Sequence, residues 1–96
     1  MPEQEKQQLS RDVAEKYGIV PFITIFRNDD YDDFWLHNDS ARCFDLMVEH
    51  GVSVNDKTSK VFANVDGLDF YEHYCDHPTK QEATRIAILK ALLAKE

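Results

Sequence analysis

The sequence predicts a small α+β domain, an antiparallel sheet of three or four strands packed with about three helices. Apolar residues recur at helical spacing within residues 9–17, 41–48 and 83–93, and they alternate with polar ones over residues 52–55 and 60–65. Asp66-Gly67 adds a hairpin turn signal directly after the second alternating run. A chain of 96 residues fits one domain, 1–96, and is too short to bury two independent cores. Its hydrophobic share of 43%, with only three glycines and three prolines, is globular rather than disordered composition.

Taken in order, Leu9, Val13 and Tyr17 fall on one face of a first helix that Gly18 stops. The polar residues before Ser10 leave its start open between Glu3 and Ser10, and residues 1–9 are expected to fray. Ile19 to Phe26 is rich in β-branched and aromatic types and reads as a strand, with Pro21 tolerable at an edge or a strand start. Arg27 to Asn38 reads as a loop that returns as a short strand at 34–36. Asn38, Asp39 or Ser40 can cap a second helix, whose shared apolar face is Ala41, Phe44, Met47 and Val48 and whose outer face is Arg42, Asp45 and Glu49. Gly51 ends it. The runs Val52 to Asn55 and Lys60 to Val65 then form a hairpin, with Val61, Ala63 and Val65 on one face. Leu68 to Tyr74 is a third strand of the meander or a short helix. Pro78 precedes a last helix in which Thr79 and Glu82 form a capping box. Ala83, Ile86, Ala87, Leu89, Ala91, Leu92 and Leu93 give that helix a broad apolar surface, which implies packing on a sheet or on a partner, including a copy of itself.

The net charge of −7 is unevenly placed. Residues 19–77 carry twelve acids and four bases, whereas residues 78–96 carry two acids and four bases. Such a middle region repels a duplex phosphate backbone and attracts a basic protein surface, so the expected partner is a protein, with no direct nucleic acid. No apolar run approaches the roughly 20 residues of a membrane-spanning helix, and Met1-Pro2-Glu3-Gln4-Glu5-Lys6 has no basic region leading into an apolar stretch, so no membrane partner and a cytoplasmic location are expected. Cys43 and Cys75 show no CxxC spacing and read as reduced thiols.

His73, Cys75 and His77 are zinc-type ligands, and on a helix His73 and His77 would share a face. A closed site needs a fourth ligand, and His37, His50 and Cys43 show no ligand spacing, so no metal is expected. The run Asp29 to Asp33 lacks the glycine and closing glutamate of a calcium loop. No glycine-rich phosphate loop or nucleophile elbow appears, and neither a cofactor nor enzymatic activity is expected. Trp35, beside Phe34 and Leu36, is either a core anchor or the centre of a binding patch rimmed by acids. The partner-contact residues this reading selects are Asp29, Asp30, Tyr31, Asp32, Asp33 and Trp35.

From Trp35 onward the chain resembles the phage ABA-sandwich proteins, small proteins of bacteriophages and prophages named for a sheet layered between helices. The resemblance lies in Trp35 with Asn38-Asp39-Ser40-Ala41, in Val48-Glu49-His50-Gly51-Val52-Ser53-Val54, and in Glu82 to Leu92; Val13 to Ile19 is similar to the family's opening helix. It implies a phage or prophage origin and carries no catalytic residue across. The strand-like Phe22 to Phe26 and the acidic loop after it depart from the family pattern. The resulting expectation is a non-enzymatic accessory protein in the host cytoplasm that binds a host protein with a basic surface, of the kind that inhibits CRISPR or restriction defences. A small metal- or thiol-dependent enzyme and a purely structural or homodimeric module are the alternatives.

Overall fold

The computed structural model describes residues 1–19 and 35–95. The strand expected at 19–26 therefore lies, from Val20 onward, outside the described residues, as does the loop up to Phe34.

Helix α1 spans Glu3–Tyr17 and closes on Gly18, whose φ of 69° is the left-handed conformation of a helix stop. It begins at the early end of the expected range, because Lys6 is buried against α3 and ties down the residues expected to fray. A 3-10 turn at Leu36–Asn38 replaces the short strand expected at 34–36. Helix α2 spans Ser40–His50, capped by the Asp39 carboxylate, which accepts from the Arg42 amide at 3.0 Å. Strands β1 (Ser53–Asp56), β2 (Lys60–Val65) and β3 (Leu68–His73) form an antiparallel sheet in the order β1-β2-β3. Asp66 and Gly67, with φ of 51° and 83°, make the β2–β3 turn, whose twist matches the strands only when both residues accept positive φ. A second 3-10 turn, Tyr74–Asp76, leads to helix α3, Lys80–Ala94.

The register fixes which residues share a face. Val61, Ala63 and Val65 are buried, while their alternates Lys60, Phe62 and Asn64 remain partly exposed. Pairing places Asn55 and Tyr71 beside Phe62, and Ser53 and Asp69 beside Asn64, on that second, open face.

Helix α3 lies across the covered face. Ile86, Leu89 and Leu92 are fully buried, and so is most of its circumference; a helix apolar all round is one packed on all sides. The sheet takes one side, and α1 and α2 pack on α3 from the others. Lys6 meets Glu82 at one end of α1 and the Tyr17 hydroxyl donates to the Leu92 carbonyl at 2.6 Å at the other, so α1 and α3 run parallel. Of the large apolar residues of α3 only Leu93 is exposed, so the chain's own sheet and helices take up the surface that could have paired with a second copy. The capping box is half made. Thr79 accepts from the Glu82 amide at 3.0 Å, but the Glu82 carboxylate turns to Lys6. Among the described residues the helices gather on one face of the sheet, where the family resemblance implied a sheet layered between helices.

Candidate functional site

Helix α2 is held in one rotation about its axis by interior contacts. Cys43 and Leu46 are buried, and the Cys43 thiol donates to the Leu36 carbonyl at 3.0 Å. Burial pushes that thiol up to about 12; Arg85 pulls it down and Asp39 adds to the rise, so Cys43 stays protonated and unreactive. From α3, Arg85 donates Nε to the His37 carbonyl and Nη1 to the Ser40 hydroxyl, each at 2.7 Å, anchoring the start of α2.

This rotation corrects the expected inner face of α2. Phe44 and Val48 are 59% and 63% exposed, and Ala41 is exposed as well; only Met47 of that set packs partly inward. Phe44 and Val48, four residues apart, form a stripe on the outside, and Asp45 and Glu49 run parallel to it one position on. Beside the stripe a groove of about 510 Å³ opens between α2, the β1–β2 hairpin and α3. Phe44 and Met47 form one wall, and Val54, Val61 and Ile88 supply apolar surface to the rest. At its rim the Tyr74 hydroxyl donates to the Asp56 carboxylate, a bond that, with burial second, pushes the phenol up to about 12. Phe44, Val48 and Val54 are all exposed, and such a contiguous apolar strip with polar borders has the anatomy of a docking surface.

Asp29, Asp30, Tyr31, Asp32 and Asp33 lie outside the described residues. Trp35 is 9% exposed, with the Arg11 guanidinium 5.0 Å from its ring centroid and the His37 ring 6.1 Å away. It is buried beside α1, outside the central apolar cluster, and has little surface to offer a partner.

The histidine and cysteine cluster is pulled apart because only His73 lies on β3, while Cys75 sits in the second 3-10 turn and His77 follows it. Alternation sends Glu72 to the covered face and His73 to the open one, where it meets Tyr71 edge-on at 5.4 Å. His77 is buried 2.9 Å from Glu72, whose other oxygen takes Lys90 at 2.5 Å; Cys75 is exposed. Burial acts to raise the Glu72 carboxyl, yet Lys90 and His77 together hold it below the usual value. Among the described residues no group of three or more His, Cys, Asp or Glu could hold a metal ion.

A second set of reactive residue types escaped sequence reasoning. Ser10 Oγ lies 2.8 Å from His37 Nδ1, and His37 Nε2 lies 3.0 Å from Glu3. These are the residue types of a nucleophile, a base and an orienting acid. However, Ser10 and His37 are buried, and the same hydroxyl accepts the His37 backbone amide at 3.1 Å. The trio pins the first 3-10 turn to α1 and leaves a substrate no approach to the hydroxyl. Separations of 27 and 34 residues gave no local signal for it.

Among the described residues no helix is long and apolar enough to cross a membrane. Comparison of the chain with models of known families, with curated proteins and with solved structures found no match.

Proposed function

We propose that this chain is a non-enzymatic binding protein that acts by docking a host protein with a basic surface, as an accessory protein of phage or prophage origin and of the type that inhibits a host defence system. The observation that carries the reading is the exposed stripe of Phe44 and Val48 beside the α2–β1 groove, bordered on the α2 side by Asp45 and Glu49, while Asp56, Lys80 and Arg85 line the groove itself. Apolar anchors give an interface its affinity, and the charges around them choose the partner and speed the encounter. A cationic partner suits the α2 side of the stripe, where Asp45 and Glu49 lie.

The test is capture from host lysate with the wild-type chain and with Phe44→Ser/Val48→Ser as paired baits. The wild type is expected to retain a host protein in stoichiometric amount that added salt releases, and the variant to lose it. Because both side chains are exposed, the variant should unfold within about 0.5 kcal/mol of the wild type, which separates lost docking from lost folding. Equal retention by two equally stable baits would contradict the placement.

A further inference from the structure

The open face of the sheet carries a second arrangement that the docking stripe does not use. On it Phe62 and Tyr71 pair across β2 and β3 with ring centroids 5.8 Å apart, and Tyr71 is 52% exposed. The Lys60 ammonium sits 5.3 Å from the Phe62 ring and 5.1 Å from the Tyr71 ring. Neither Lys60 nor Lys57 has a carboxylate partner among the described residues. A hollow of about 440 Å³ beside Phe62 is lined also by Ser53, Asn55, Lys57, Asn64 and Asp69, with the Asn64 amide donating to Asp69 at 2.8 Å.

From this we infer that the open face binds single-stranded RNA, with unstacked bases lying on Tyr71 and Phe62. Aromatic side chains on an exposed antiparallel sheet accept bases of any sequence, because every base has a π-face. Lys57 and Lys60 supply the positive charge that tracks a phosphate backbone. The carboxamides of Asn55 and Asn64 can meet base edges, and the Asp69 carboxylate, an acceptor only, suits a donor such as a ribose 2′-hydroxyl. The expectation of no nucleic-acid contact came from charge averaged over a long stretch of sequence. At physiological salt, charges more than about 8 Å away are largely screened, and on this face two lysines without a carboxylate partner, Lys60 held over the two rings, stand against one aspartate already bonded to an amide.

Fluorescence anisotropy with labelled oligouridine of roughly 12 nucleotides tests the inference, alongside oligothymidine of the same length and a duplex. The wild-type chain is expected to bind the oligouridine and to weaken about sevenfold between about 50 and about 200 mM salt, as two phosphate contacts require. Tyr71→Ala, at an exposed position, should weaken it by at least about fivefold, while Tyr71→Phe keeps the ring and the affinity. Absence of any anisotropy rise with the oligouridine, equal or tighter binding of the oligothymidine or the duplex, or affinity unchanged by Tyr71→Ala would each overturn the inference. So would loss of a captured host protein on Tyr71→Ala without oligonucleotide binding, since the face would then be a protein contact. These variants leave Phe44 and Val48 intact, so either surface can fail without the other.

Discussion

Replacing Leu89 by alanine is expected to lower the unfolding free energy by about 3 to 4 kcal/mol, because the truncation opens a cavity that the sheet on one side and the outer helices on the others cannot fill. Leu89 is fully buried in α3, the element every other layer packs against. A domain of 96 residues holds only about 5 to 14 kcal/mol in total, so this one change should consume a large share. Leu93→Ala, four positions along the same helix and exposed, is the matched control and should cost well under about 1 kcal/mol. Urea unfolding compares the two at constant denaturant slope. Equal midpoints for the two variants would mean that α3 is not the central layer.

The second large effect belongs to the ion pair of Lys6 and Glu82, whose charged atoms lie 2.5 Å apart with about a tenth of each side chain exposed. Lys6→Met should cost about 3 kcal/mol at neutral pH, since it leaves a carboxylate buried without its cation. Lys6→Met/Glu82→Leu, which removes both charges, should recover most of that loss. The pH dependence follows from the same pair. Burial acts to raise the Glu82 carboxyl, but Lys6, by hydrogen bond and by charge, brings it below the ordinary value of 4.5. A carboxyl held low in the folded state gives stability that is complete above its unfolded pKa and disappears as pH falls through the folded one. Glu72, held low by Lys90 and His77, adds in the same direction. Wild-type stability should thus be level down to about pH 5 as far as these two groups decide it, and fall below about pH 4.5. In Lys6→Met burial acts on Glu82 without Lys6, so the gap to the wild type should narrow as pH falls and Glu82 takes up its proton. A gap of equal size at neutral and acid pH would contradict this account.

Much of the architecture was legible because short-range patterns determine it. Alternation over Lys60 to Val65 marked both faces of β2, Asp66-Gly67 marked its turn, and Asp39 and Thr79 marked the two helix starts they cap. Helix α2 shows where such patterns stop. It carries two apolar sets, Phe44 with Val48 and Cys43 with Leu46, and periodicity alone does not say which one the rest of the chain will cover. Arg85, 48 and 45 residues downstream of them, helps decide it by gripping the His37 carbonyl and Ser40. The signal was present in the acids Asp45 and Glu49 running beside Phe44 and Val48, since a stripe bordered by charge is as natural for docking as for a core. Lys6 fell in the stretch expected to fray and Ser10 at the late end of the possible helix start, because the burial of each depends on a partner distant in sequence, Glu82 and His37. His73 and His77 were grouped by helical spacing, but His73 ends β3 and a 3-10 turn separates it from His77.

The open sheet face was hidden for a related reason. Phe62 and Tyr71 stand nine residues apart with nothing in the sequence to couple them, and only the β2–β3 register sets their rings together over Lys60. Mean charge masked the rest.

Site-specific photocrosslinking inside the host tests the central claim, that the outer stripe of α2 is where this protein meets its partner. A photoreactive phenylalanine analogue at Phe44 should give one dominant crosslinked species, heavier than the chain by the mass of a host protein, and the same group at exposed Gln8 on α1 should give none. Crosslinking from Gln8 but not from Phe44, or a product from Phe44 with only the mass of two copies of this chain, would contradict it.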